Sequence, residues 1–97
     1  MARYFMHLAY NGSPFHGWQT QPNAVSVQST IEQALATILR QPVPITGAGR
    51  TDAGVNAHMM IAHLDLPDDV AVTDKLLLSL NRLVGKEIAI YSIKPVH

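Results

Sequence analysis

Ninety-seven residues, 47% of them hydrophobic, make one small domain with a modest core and exclude a disordered chain. Seven Lys+Arg balance seven Asp+Glu, so the basic excess that phosphate attraction usually leaves is missing, and no basic run stands in for it. The absence of cysteine excludes disulfides and thiolate metal sites within the chain and fits a reducing, cytoplasmic setting. The opening MARYFMHLAY has one early arginine but no long apolar segment and no small-residue cleavage site. It does not read as a signal peptide, and no stretch is apolar for long enough to span a membrane.

Arg3–Tyr10 alternates, with Tyr4, Met6, Leu8 and Tyr10 on one face and Arg3, Phe5, His7 and Ala9 on the other. Period two and aromatic content predict a strand, stopped by the turn residues Asn11-Gly12-Ser13-Pro14. Phe15–Asn23 is a polar loop with aromatics in it. Trp18 there suits the end of the core, while Gln19 and Gln21 are open to a binding role through amide hydrogen bonds. Ser26 is placed to cap a helix over Val27–Arg40, with Val27, Ile31, Ala34, Leu35 and Ile38 on one stripe. Gln41-Pro42-Val43-Pro44 ends it, and Val43–Thr46 reads as a short strand.

Ala57–Leu66 reads as a strand buried mostly on its even face, His58 to Leu66. Pro67-Asp68-Asp69 is a turn. Thr73 caps a second predicted helix over Asp74–Val84, with Leu76, Leu77, Leu80, Leu83 and Val84 inward and Gly85 as a left-handed terminator. Glu87–Lys94 is the last predicted strand, closed by Pro95. This βαββαβ order is the plan of an α+β, ferredoxin-like domain, a mostly antiparallel sheet with two helices on one face. The other sheet face, carrying Phe5, His7 and Ala9, is neither fully polar nor fully apolar, which hints at a cover in the working protein.

Between the second and third strands lies Gly47–Ala57, GAGRTDAGVNA. Three glycines by Gly54 suggest a strained, close-packed loop, and Arg50 and Asp52, two apart, point the same way on an extended backbone. Such a loop is either a candidate site or a turn with a local salt bridge. The five histidines do not fall at metal-ligand spacing; His58 and His63 take opposite faces of a strand. Gly47-x-Gly49 lacks the third glycine of a dinucleotide loop, and no lysine follows Gly54 as a phosphate loop requires. No segment carries the paired carboxylates of a general acid–base hydrolase.

The string Gly47-Ala48-Gly49-Arg50-Thr51-Asp52-Ala53-Gly54-Val55 resembles the active-site motif of the tRNA pseudouridine synthase A family. Tyr10-Asn11-Gly12-Ser13-Pro14-Phe15-His16-Gly17-Trp18-Gln19-Thr20-Gln21-Pro22 resembles that family's first-loop signature. Ser26-Val27-Gln28, with Glu32 and Ala34-Leu35, is similar to its following helix. Three matches in the right order span most of the chain. The resemblance implies an enzyme that isomerises uridine to pseudouridine in the anticodon stem-loop of tRNA, at or near positions 38 to 40, with no cofactor and no metal. Asp52 would be the catalytic carboxylate, as nucleophile or as initiator of glycosidic cleavage, acting on a base that has left its stack. Arg50 would hold a phosphate or help extrude the base, and its charge would favour an ionised Asp52. Thr51, Gln19 and Gln21 join Arg50 as candidate substrate-binding residues.

Asn11 stands where the family commonly has Asp, Phe15 where Tyr is usual and Asn56 where His is usual; none removes the proposed carboxylate. The family continues into a second, similar domain that supplies a stacking tyrosine and basic residues, and this chain reaches His97 before any of that. The expectation is a single N-terminal catalytic-Asp domain, residues 1–97, of a longer two-domain enzyme, inactive alone and homodimeric when complete. The missing part would also explain the neutral charge. The alternatives are a non-catalytic ferredoxin-like module for RNA binding or subunit contact, and a small-ligand regulatory domain.

Overall fold

The computed structural model describes residues 1–11, 26–52 and 57–96, with Arg50–Asp52 and Ala57 described by backbone alone. Strand β1 covers Ala2–Asn11, helix α1 Val27–Leu39, β2 Ile45–Asp52, β3 Ala57–Leu66, α2 Asp74–Val84 and β4 Ile88–Pro95. The strands form one antiparallel sheet in the order β2-β3-β1-β4, the ferredoxin-like arrangement expected from the element order. The pairing β1–β3 runs without a slip from Ala2 opposite Leu66 to Asn11 opposite Ala57.

Period two in the strands and the helical stripes meet in one core. Met6, Leu8 and Tyr10 of β1, Met60, Ala62, Leu64 and Leu66 of β3 and Ile88, Ile90 and Ile93 of β4 are buried together with Val27, Ile31, Ala34 and Leu35 of α1 and Leu76, Leu80 and Val84 of α2. Burying such side chains is worth roughly 1.5–3 kcal/mol each. The opposite sheet face stays open among the described residues, with Phe5, Met59 and Ile61 exposed. Ser26 is fully buried and closes a reciprocal cap: its Oγ accepts from Ser29 N–H at 3.1 Å, and Ser29 Oγ accepts from Ser26 N–H at 3.3 Å. Helix α1 ends one residue short of the expected Arg40, which takes the left-handed conformation at φ 59° and returns its N–H to Ala36 O at 2.8 Å.

Five expectations need correction. The second strand does not cover Val43–Thr46; it begins at Ile45 and runs to Asp52, because hydrogen bonding to β3 overrides the weak strand preference of Gly47 and Gly49. The strained, close-packed loop is therefore absent from Gly47–Asp52: a Cβ built on Gly49 meets nothing within 4 Å. Leu83 is half-exposed and lies outside the core stripe of α2, which Leu76, Leu80 and Val84 fill. Gly85 has the positive φ that favours glycine, 87°, but its ψ of 179° is extended, so the chain passes through a turn at Lys86 and Glu87 into β4 without a left-handed helical cap. The last strand starts at Ile88, one residue later than expected, and includes Pro95.

Candidate functional site

Strand direction gathers the motif segments at one end of the sheet. Strands β1 and β2 end there at Asn11 and Asp52, and β3 and β4 begin there at Ala57 and Ile88. The chain leaves β1 at Asn11 toward the segment carrying Gln19 and Gln21, and leaves β2 at Asp52 toward Ala53 and Gly54. The two exit points are separated by β3, about 10 Å at ordinary strand spacing. Gln19 and Gln21 lie outside the described residues, as do Ala53–Asn56, and Arg50, Thr51 and Asp52 are placed by backbone.

Register supplies the geometry at this end. Asp52 is opposite His58, His58 is opposite Tyr10, and Tyr10 is opposite Ile88, one row across all four strands. The rings of Tyr10 and His58 are 5.1 Å apart between centroids and tilted by 36°. Tyr10 is buried, and its ring and the His58 imidazole share the row in which the Asp52 backbone is paired. Asn11 is held where the chain departs: its N–H donates to Glu87 O at 2.9 Å, and its Nδ2 donates to Glu87 Oε2 at 2.9 Å. A shallow hollow of about 200 Å³ lies beside it, lined by Ala9, Tyr10, Asn11, Lys86, Glu87 and Ala89. A larger hollow of about 380 Å³ lies on the helix side, against Ile38, Val70 and Leu76, remote from the motif.

Arg50 is opposite Met60 and Thr51 opposite Met59, so Arg50 and Asp52 occupy alternate places on one extended strand, as their spacing predicts. Alternation puts His58 on the mostly buried face of β3, but its place in the row with Asp52 depends on the β2–β3 register, which is not legible from spacing. Electrostatics elsewhere are simple. Arg3 donates Nε and Nη2 to the two carboxylate oxygens of Asp65 at 2.9 and 3.1 Å. These bonds hold the Asp65 carboxyl below the usual carboxylate range and raise the Arg3 guanidinium further. This pair is at the far end of β1 and β3 from the motif. Among the described residues, no helix is long and apolar enough to cross a membrane.

Similarity to known proteins decides what this arrangement belongs to. The chain is 59% identical over 97 residues to tRNA pseudouridine synthase A of Porphyromonas gingivalis, covering 99% of the chain and 38% of that protein. It is 57% identical over 96 residues to the protein of the same name from Parabacteroides distasonis, with 99% of the chain and 38% of the relative covered. The chain belongs to the tRNA pseudouridine synthase A family. The likeness extends to tRNA pseudouridine synthase A of Aquifex aeolicus, 42% identical over 96 residues, or 99% of the chain and 39% of the relative. No family model matches the chain. The chain spans about two fifths of the length of the curated relatives it matches.

Proposed function

We propose that the chain is the catalytic-Asp domain of a longer tRNA pseudouridine synthase that isomerises uridine in the anticodon stem-loop, at or near positions 38 to 40. The observation that carries this reading is similarity of 42–59% identity along nearly the whole chain to proteins named for that activity. The backbone supports it: Asp52 ends a strand at the sheet margin where the other motif segment also departs. Asp52 is the catalytic carboxylate in this reading, and Arg50, Thr51, Gln19 and Gln21 contact the substrate. In the reaction the N1–C1′ bond breaks, a C5–C1′ bond forms, the C5 proton leaves to water and N1 takes up a proton. An ionised carboxylate beside an extruded base suits the first of these steps. The complete protein supplies the remaining walls of the cleft and much of the basic surface that tRNA requires, and works as a cytoplasmic homodimer.

The test is release of tritium from tRNA transcripts labelled at uracil C5, with mapping of the product. The complete protein is expected to release label in proportion to pseudouridine at the anticodon stem-loop, and the 97-residue chain alone is expected to release none. Absence of product with the complete protein, or product confined to other parts of tRNA, contradicts the assignment.

A further inference from the structure

Strand β2 is an edge strand, and Ile45 is the one described side chain that it buries. Thr46, Gly47, Ala48 and Gly49 are all exposed. Among the described side chains of the strand, packing beyond Ile45 therefore contributes little to holding it in place. Both backbone groups of Ile45 are instead taken by α1. Ile45 N–H donates to Glu32 Oε2 at 2.9 Å, and Ile45 O accepts from Gln28 Nε2 at 2.8 Å. Gln28 and Glu32 are one helical turn apart, so their side chains reach the same point on the strand, and their own Nε2 and Oε2 are 3.5 Å apart. Together they occupy the outward-facing donor and acceptor that another strand would use.

Three residues downstream the pairing slips. Ile45, Thr46 and Gly47 are opposite Leu64, His63 and Ala62, after which Gly49 is opposite Ile61 and Asp52 opposite His58. Ala48 is the extra residue of this bulge. Continued without it, the register that begins at Ile45 would set Asp52 opposite Ala57, on the other face of the sheet. The face on which the motif emerges thus depends on where the strand is anchored and on the bulge that follows.

We propose that Gln28 and Glu32 are positioning residues for the reaction at Asp52: they fix β2 at Ile45, and so fix the register that the Ala48 bulge converts into the Asp52–His58 row. The proposal rests on the reading of Asp52 as the catalytic carboxylate. A slip of one residue moves a strand by about 3.3 Å, and a misplacement of about 1 Å can lower a rate on the order of 100-fold.

The comparator is Asn81 of α2, which makes the same kind of clamp on the other edge strand. Its Nδ2 donates to Ile90 O at 3.0 Å and its Oδ1 accepts from Ile90 N–H at 2.8 Å. In the complete enzyme, Gln28→Ala with Glu32→Ala is expected to lower the single-turnover rate at saturating tRNA by about tenfold or more, leaving tRNA affinity within about twofold. Asn81→Ala is expected to lower the melting temperature comparably and to keep the rate. Glu32→Gln, whose amide oxygen still accepts from Ile45 N–H, is expected to stay within about threefold of the parent. Gln28→Ala alone, which keeps the Glu32 bond, provides the same comparison if the double variant does not fold. Equal rates for the clamp variants and Asn81→Ala overturn the proposal, as does Glu32→Gln being as slow as Glu32→Ala. Full activity of Asp52→Asn defeats the underlying reading instead and is told apart by that variant alone.

Discussion

The two halves of the domain, β1–α1–β2 and β3–α2–β4, end in edge strands held in different ways. Strand β4 buries Ile88, Ile90 and Ile93, and its clamp is a single residue, Asn81. Strand β2 buries Ile45, and its clamp takes two residues, Gln28 and Glu32. Both strands carry a pairing irregularity, between His7 and Leu8 of β1 where β4 skips Tyr91, and at Ala48 in β2. In β4 three apolar anchors absorb the irregularity. In β2 the residues after the anchor are small or polar and lead into the motif, so polar bonds to the backbone replace packing. Among the described residues, the edge strand with fewer buried anchors is the one to which the chemistry is assigned.

The difference is sharpest in the response to losing one anchor. Ile45→Ala and Ile90→Ala each remove a buried isoleucine and should destabilise the domain by roughly 2–5 kcal/mol in urea unfolding. Their local effects should separate. Amide exchange in β2 should lose protection below the global limit in Ile45→Ala, whereas Ile88 and Ile93 should keep β4 protected in Ile90→Ala. Equal local loss in both strands would remove the contrast.

Helix starts give a smaller test of the same contrast. Ser26 is fully buried, its Oγ accepts from Ser29 N–H at 3.1 Å and donates to Ser29 Oγ at 3.0 Å, whereas Thr73 makes one cap bond, from Leu76 N–H at 3.3 Å. Ser26→Ala should cost about 1–2 kcal/mol and Thr73→Ala about 0.5–1 kcal/mol in the same unfolding assay. The reverse order would mean that α1 is not the more polar-tethered helix.

The smallest effect belongs to the Arg3–Asp65 pair, which ties the central strands at the end away from the motif. Its folded carboxyl is held below the ordinary carboxylate range, so its stabilisation is present above the unfolded value and is lost as pH falls through the lowered folded value. Both side chains are exposed, so the contribution is slight and screened by salt. An NMR titration should find the Asp65 midpoint below that of an ordinary aspartate, and Arg3→Ala should return it upward. An unchanged midpoint would assign the shift to something other than Arg3.

Long periodic elements were legible in the chain itself. β3 and α2 have the bounds that alternation and capping predict, because Ala57–Leu66 and Asp74–Val84 each bury one face and end at turn or cap residues. Glycines misled in β2: Gly47 and Gly49 signal a loop locally, yet the ladder to β3 makes them strand. Leu83 satisfied the apolar pattern of α2 but points away from the sheet-facing stripe. The spacing of Arg50 and Asp52 was readable. The bulge at Ala48 that sets them opposite Met60 and His58 was not, since a register shift belongs to two strands and a sequence presents only one at a time. The clamp residues Gln28 and Glu32 stood at helical spacing beside the apolar stripe, and only the position of Ile45 reveals what they hold.

The most direct measurement is single-turnover pseudouridine formation on tRNA by the complete protein carrying Asp52→Asn, with tRNA binding and melting temperature measured on the same preparation. The account predicts a folded protein that binds tRNA within about twofold of the parent and forms product at least about a thousandfold more slowly, the scale expected when an essential covalent or charged group is removed. Product formed at the parent rate by that variant would contradict it.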